Sequence, residues 1–259
     1  MKLAASNIGW AAEMDARVLR HMADAGYSGL EIAPTRLFPE KPYDAPERIA
    51  AFSRGIRREY GLSVCSMQSI WYGMGEKIVE SGENRAILLA YTDKAIRFAE
   101  AAGCDNLVFG CPRNRAIRGE ADVPVVEDFL WRCAEAAARH GVVIALEANP
   151  PIYHTNYINT TAQALALLKR LNHPSLKLNL DFGTVVENGE ALDWIDRDGG
   201  FIHHVHISEP GLTPIRCRPE HLELKRRLGQ IGYEGYVSIE MGSREDAVLQ
   251  AIDYVKGSF

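Results

Sequence analysis

Short apolar runs and amphipathic stretches alternate along the whole chain, and this alternation limits the folds that the chain can adopt. Runs with strand character lie at residues 3–7, 30–32, 63–68, 106–111, 142–148, 176–182, 202–208 and 236–241. Helical spacing of apolar residues lies at 15–25, 46–60, 84–102, 125–140, 161–171, 191–195, 221–228 and 244–256. Strict alternation indicates a parallel sheet with crossover helices. Eight such units in 259 residues predict one domain over residues 1–259, folded as a closed (β/α)8 TIM barrel.

Bulk properties exclude several classes of protein. The net charge of −5 disfavours a nucleic-acid partner, which would need a basic surface. The five cysteines form no CxxC pair, and no apolar run approaches the roughly 18 residues of a membrane span. The first ten residues lack the apolar core of a signal peptide. We therefore expect a cytoplasmic protein without a membrane partner. The oligomeric state stays open, with a homodimer and a homotetramer as candidates.

Four of the apolar runs end in a residue that can bind a divalent metal ion. Glu147, Asp181, His206 and Glu240 are separated by 34, 25 and 34 residues, about one strand–helix unit each. The carboxyl ends of barrel strands meet on one face, and that face carries the chemistry. Three carboxylates and one imidazole suit Mn²⁺, Mg²⁺, Co²⁺ or Zn²⁺. The sequence predicts a site for one such ion.

Each of these residues also has a simpler interpretation. Glu147 could pair with an arginine at the end of its strand, and Asp181 could cap the turn that follows. Asn179 shares a strand face with Asp181, and His204 shares one with His206, because side chains alternate along a strand. The metal-site hypothesis is favoured because all four residues stand at the same structural position.

Five motifs give the chain a resemblance to the xylose isomerase-like TIM barrels, the sugar phosphate isomerase/epimerase superfamily with barrels of the AP endonuclease 2 type. They are LEANP at 146–150, INTT at 158–161, LNLDFG at 178–183, HVHISE at 204–209 and SIEM at 238–241. The resemblance implies that Glu147, Asp181, His206 and Glu240 bind the metal ion. It further implies that Glu147 and Glu240 are catalytic, as the pair of proton-transferring carboxylates.

The chain departs from the ketose 3-epimerase pattern of this superfamily at three places. Thr184 stands where a substrate-contacting histidine is usual, Pro210 begins a segment that usually carries an arginine, and His154 replaces a second glutamate. Arg216 or Arg218 could supply the missing cation, and with Arg113 or Arg115 after the fourth strand could hold a phosphate or carboxylate group. The alternative is that these arginines are ordinary loop residues that bind no substrate group.

Further candidates for substrate binding follow from their places near the strand ends. They are Trp10, Gln68, Asn149, His154, Glu209 and Arg216, with Asn7, Glu31, Trp71 and Tyr72 as additional neighbours. Trp10 could instead be a packing residue, and Glu31 a strand-end ion pair. Glu209 could orient His206 or contact the substrate.

The predicted function is therefore a metal-dependent isomerase or epimerase that acts on a small carbohydrate, phosphorylated or free, by enediolate proton transfer. A dehydratase that expels a hydroxyl group is the alternative, with His154 or His204 as the acid. An endonuclease IV-like hydrolase and a non-catalytic sugar-binding barrel are less favoured, because Thr184 replaces an expected histidine in the first case and the ligand set is complete in the second.

Overall fold

Eight strands alternate with helices along the chain. The computed structural model describes the backbone of residues 1–259 and every side chain except those of Glu245 and Asp246. The strands are β1 (Lys2–Ser6), β2 (Gly29–Ile32), β3 (Ser63–Met67), β4 (Asn106–Phe109), β5 (Val143–Glu147), β6 (Leu176–Asp181), β7 (Ile202–Ile207) and β8 (Tyr236–Ile239). The α-helices are α1 (Asp15–Asp24), α2 (Pro34–Leu37), α3 (Pro46–Tyr60), α4 (Gly82–Ala102), α5 (Val123–Ala138), α6 (Thr161–Leu171), α7 (Phe182–Asn188), α8 (Ile195–Asp198), α9 (Pro219–Gln230) and α10 (Glu245–Ser258).

All eight strands are parallel and close into a barrel in sequence order, with β1 paired to β8. The predicted (β/α)8 fold is confirmed. The register of the last strands brings the predicted site residues together, because Glu147 is paired with Asn179 and Asp181 with His206. His206 is in turn paired with Ser238, two residues before Glu240.

The two faces of the strands have opposite chemistry. Polar side chains on the inner face form hydrogen bonds with one another inside the barrel, as Gln68 does with Ser6 at 2.9 Å and Asn106 with Ser66 at 2.9 Å. Side chains on the outer face, such as Leu180 and Val205, belong to the apolar core that packs beneath the helices. Burial of this outer layer stabilises the fold and leaves the barrel interior free for polar groups.

Helix ends follow local sequence signals. Thr160 caps α6 by accepting a hydrogen bond from the Gln163 backbone, and the Gln163 side chain bonds back to the cap. Gly61 and Gly103 end α3 and α4 in the left-handed region, at φ 73° and 70°.

The predicted helix over 191–195 is wrong. The chain instead forms α7 directly after β6 and the short α8 at Ile195–Asp198. The helix α7 begins at the end of the strand because the Asp181 side chain accepts a hydrogen bond from the Thr184 backbone, and it ends at Gly189 in the left-handed region. Among the described residues, no helix is both long enough and apolar enough to cross a membrane.

One buried arginine connects the loops that follow β4 and β5. The Arg115 guanidinium donates to the carbonyl oxygens of Gly110, Tyr157 at 3.2 Å and Ile158 at 3.1 Å. Burial lowers the pKa of Arg115 to about 10, still high enough to keep it charged at neutral pH. The residue is fully enclosed, so its bonds hold both loops in place beside the barrel mouth.

Replacing this arginine tests that role. Arg115→Met removes three hydrogen bonds to carbonyl groups, of which that of Ile158 keeps a second donor in the Asn149 backbone, so we expect the free energy of unfolding to fall by about 3 kcal/mol. Denaturant unfolding measures the change. The exposed neighbour in Arg113→Met is the control, with an expected effect within about 0.5 kcal/mol. Equal stability of the two variants would contradict the proposed tie.

Candidate metal centre and active site

Four side chains converge at the carboxyl ends of the last four strands. Glu147 ends β5, Asp181 ends β6, His206 lies near the end of β7 and Glu240 directly follows β8. Their ligand atoms all lie within 4.8 Å of one another, and each residue is no more than 9% exposed. The structure thus brings together the four predicted ligands from separate strands.

His206 lies at the centre of this group. Its Nδ1 is 3.2 Å from Glu147 Oε1 and 3.2 Å from Glu240 Oε2. Its Nε2 is 2.9 Å from Glu31 Oε2, on the opposite side of the ring. Since the Glu31 carboxylate accepts a hydrogen bond from Nε2–H, Nδ1 is the ring nitrogen that faces the other carboxylates, as in a metal ligand supported by an outer carboxylate.

Burial and neighbouring charges shift the pKa values of the carboxylates and of His206. Burial, with repulsion from Glu147, raises the pKa of Asp181. Burial, with Glu147 and Asp181 nearby, raises the pKa of Glu240 to about 7. Desolvation acts in the same direction at Glu31, but His206 and His204 outweigh it and hold the Glu31 pKa well below its usual range. Desolvation disfavours a charged His206, yet Glu31 and Glu240 raise its pKa well above its ordinary value.

A divalent cation fits this set of donors. Three buried carboxylates repel one another, and a cation among them would remove that cost. The distances of 3.2 Å between the His206 nitrogen and its two carboxylate neighbours are those of adjacent ligands around one ion bound at about 2.1 Å. The mixture of oxygen donors and one imidazole suits Mg²⁺, Mn²⁺, Co²⁺ or Zn²⁺.

Neighbouring donors hold each carboxylate in position. Asn149 and Asn179 donate to the two oxygens of Glu147, at 2.7 Å and 2.6 Å. Gln68 donates to Glu240 at 2.9 Å. Asp181 accepts from the backbone and hydroxyl of Thr184, at 2.8 Å and 2.7 Å, and from Ser208. Asp181 Oδ2 accepts both bonds from Thr184, but Asp181 Oδ1 and the oxygens of Glu147 and Glu240 keep a lone pair, so these bonds still permit metal binding.

A glycine makes room for Glu147. A Cβ atom built on Gly110, directly after β4, would lie 2.9 Å from Glu147 Oε2. Any larger residue at this position would push the carboxylate away from the other ligands.

A cavity of about 260 Å³ opens above the four strand ends. Glu147, Asp181 and Glu240 form its floor, and the predicted Gln68 and Asn149 also line it. The loops and β4 contribute a mostly apolar wall, formed by Trp71, Tyr72, Val108, Pro112, Tyr153 and Leu212. The cavity therefore combines a charged floor with aromatic and aliphatic sides.

Four predicted substrate-binding residues do not line this cavity. Trp10 is buried and donates to Asp15 at 2.7 Å, which makes it a packing residue. His154 is exposed in the left-handed region, and Arg216 is also exposed. Glu209 is buried, but Arg218 binds both of its oxygens, at 2.7 Å and 2.6 Å, so it neither orients His206 nor faces the cavity.

Sequence reasoning missed three residues that contribute to the site. Tyr153 lines the cavity in place of its neighbour His154, and no sequence signal separates the two. Ser208 bonds Asp181, and the alternation along β7 that groups it with His206 could have indicated it. Asn179 donates a hydrogen bond to Glu147. It shares a strand face with Asp181, so the alternation along β6 could have indicated it as well.

Comparison with known proteins agrees with this architecture. The family model described as xylose isomerase-like TIM barrel matches residues 19–257. Since the match spans most of the chain, the protein belongs to the xylose isomerase-like TIM barrel family.

Relatives and solved structures extend this result. The chain is 24% identical over 249 residues to a ketose 3-epimerase of Arthrobacter globiformis, covering 93% of this chain and 83% of that one. It is 25% identical over 224 residues to a 2-oxo-tetronate isomerase of Haemophilus influenzae, covering 80% and 82%. The structure of apo 3-keto-D-glucoside 4-epimerase from E. coli superposes with a TM-score of 0.77 at 22% identity, covering 98% and 97%.

The contact between Glu31 and His206 can be tested through metal binding. Glu31→Gln keeps the size of the side chain but removes the charge that orients the imidazole. We expect metal affinity to fall about 10- to 100-fold, as for other carboxylates that support metal-bound histidines. Titration with Mn²⁺, followed by electron paramagnetic resonance, measures it. Glu187→Gln, an exposed acid, is the control. Unchanged affinity in Glu31→Gln would contradict this role.

Proposed function

We propose that this protein is a divalent-metal-dependent isomerase or epimerase that moves a proton next to the carbonyl group of a small carbohydrate. The observation that carries the proposal is the pair Glu147 and Glu240. They come from β5 and β8, both line the cavity, and both lie 3.2 Å from the same nitrogen of His206. Their carboxylates therefore reach one small volume from two sides of the barrel.

Glu147, Asp181, His206 and Glu240 would hold the ion. A divalent metal bound there polarises a carbonyl and its neighbouring hydroxyl, and stabilises the negative charge that develops on the substrate oxygens.

The protein's own side chains perform the proton transfer in this proposal. One glutamate removes the proton from the carbon beside the carbonyl, which leaves an enediolate. The other returns a proton to the opposite face of the same carbon, and this inverts the carbon. If the proton instead goes to the former carbonyl carbon, and the hydroxyl proton moves to the former carbonyl oxygen, the carbonyl group changes place and the product is an isomer.

Surrounding residues fix the geometry. Asn149 and Asn179 hold Glu147, and Gln68 holds Glu240, so neither carboxylate must reorganise during the reaction. Trp71 is fixed because its Nε1 donates to Thr92 at 2.9 Å, so the wall that it forms is rigid. These walls exclude water from the reacting carbon.

The comparisons support this reaction class. Of the three proteins named above, two are epimerases by name and one is an isomerase. Each name refers to a ketose, oxo or keto compound. The dehydratase alternative has less support, because neither His154 nor His204 lines the cavity as its acid.

Conversion of the substrate tests the two-glutamate mechanism. We expect Glu147→Gln and Glu240→Gln each to slow formation of the epimer or isomer from ketoses and ketose phosphates by about 10²- to 10⁴-fold, because each removes one of the two proton-transfer groups. The remaining glutamate can still exchange one substrate hydrogen with D₂O, so nuclear magnetic resonance follows conversion and deuterium incorporation separately. Since both residues are also proposed ligands, rates are compared per bound metal. Glu187→Gln is the control, and full conversion in either active-site variant would refute the mechanism.

Removal of metal provides a separate test. After chelation and dialysis we expect exchange to stop, and addition of Mn²⁺, Mg²⁺, Co²⁺ or Zn²⁺ to restore it, because the substrate oxygens lose their electrostatic stabilisation without the ion. Circular dichroism checks that the barrel stays folded. Undiminished exchange in protein shown by elemental analysis to be metal-free would overturn metal dependence.

A further inference from the structure

The substrate cavity lacks cationic side chains. Among its described lining residues there is no lysine and no arginine. The charged groups that face it are the carboxylates of Glu147, Asp181 and Glu240. Three carboxylates exceed the charge of one divalent ion, so the floor stays negative after a metal binds.

The arginines that could bind an anion do not line the cavity. Arg115 is enclosed and donates to the three carbonyl oxygens described above, so it presents no free donor to the cavity. Arg218 forms a two-pronged ion pair with Glu209, which is 1% exposed. Arg113 and Arg216 are exposed on loops outside the lining. None of these four arginines therefore adds a positive charge to the described lining.

The helix start at the cavity is engaged as well. In many barrels a phosphate group binds to free backbone N–H groups at the N-terminus of a helix on this face. Here α7 begins directly after Asp181, but the Gly183 N–H donates to Ser208 at 2.7 Å and the Thr184 N–H donates to Asp181 at 2.8 Å. Asp181 itself adds negative charge at this position. An anion at the start of α7 would therefore meet the Asp181 carboxylate and would find the N–H groups of Gly183 and Thr184 already bonded.

The remaining walls suit an uncharged polyhydroxy compound. Trp71, Tyr72, Tyr153 and Leu212 offer apolar surface, and aromatic faces pack well against the C–H faces of a sugar. The amides of Gln68 and Asn149 lie among the lining groups, where hydroxyl groups can meet them.

We propose that the substrate is an uncharged sugar, a free ketose or keto sugar of about one ring in size, and not a sugar phosphate. This proposal rests on the proposed function for the carbonyl chemistry and adds the charge of the substrate. The cavity selects against a phosphate because its floor is negative and its described lining residues include no lysine or arginine.

Binding by matched pairs tests the charge selection without requiring turnover. Mn²⁺-loaded protein is titrated with free ketoses and with their own phosphates: fructose and fructose 6-phosphate, ribulose and ribulose 5-phosphate, xylulose and xylulose 5-phosphate. Quenching of tryptophan fluorescence reports binding, since Trp71 lines the cavity. We expect at least one free ketose to bind about tenfold more tightly than its phosphate, because one like-charge contact costs about that much in partly screened surroundings.

A single added cation should change this preference. Tyr72 is 71% exposed and lines the mouth of the cavity, so Tyr72→Arg adds a guanidinium without disturbing the core. We expect this variant to bind the ketose phosphate about tenfold more tightly than the unmodified protein does. Tyr72→Gln controls for loss of the ring. Leu222→Arg, at a residue 59% exposed on α9, adds the same charge away from the cavity.

The outcomes separate the two proposals. Equal or tighter binding of the phosphates by the unmodified protein, or no binding of any free ketose, would overturn the uncharged-substrate proposal. An equal gain of phosphate binding in Leu222→Arg would also overturn it, because the effect would then come from net charge. Deuterium exchange into a ketose phosphate alone would uphold the isomerase function and reject the neutral substrate. Selective binding of a free ketose without any exchange would uphold the uncharged substrate and reject the isomerase function.

Discussion

The contact of His206 with Glu31 on one side and with Glu147 and Glu240 on the other organises this barrel. Four carboxylates lie within reach of two imidazoles in a space that water barely enters. Such a group is unfavourable unless each charge has a partner. Glu31 directs the imidazole, the imidazole directs two carboxylates, and amide and hydroxyl donors hold the remaining oxygens. The geometry of the proposed metal site depends on this chain of contacts.

The polar interior is possible because the stability of the fold comes from elsewhere. Outward-facing strand residues such as Leu146, Leu180 and Val205 are fully or almost fully buried beneath the helices. This outer layer supplies the apolar burial of the domain, so the inner layer can hold asparagine, histidine and glutamate. The loops then need their own ties, and Arg115 provides one by bonding to carbonyl groups of two loops. A residue that sequence reasoning considered as an anion binder therefore acts as a structural link.

Much of the fold and the central part of the site followed from the sequence. The alternation of strand and helix patterns predicted the closed barrel, and the strand-end positions of Glu147, Asp181, His206 and Glu240 predicted that they would converge. Both predictions depend on the regular geometry of strands, in which side chains alternate and parallel strands end at one face. The short helix after β6 was missed because Asp181 serves two purposes: its side chain caps the helix and also faces the other predicted ligands. When only the sequence is considered, a helix cap and a metal ligand are alternative roles for this residue.

The residues around the site depended on contacts that a local pattern does not contain. Tyr153 lines the cavity while His154 faces solvent, because His154 adopts a left-handed conformation at the end of a single turn and the Tyr153 hydroxyl accepts a bond from the Gly211 backbone, 58 residues away. Glu209 turns away from His206 because Arg218 binds it. The sequence by itself determined the barrel and the four converging side chains, since periodicity along each strand is local. Only the tertiary structure decided which loop residues face the cavity, because each loop is positioned by partners distant in sequence. It also decided that, among the described side chains, no lysine or arginine lines the cavity.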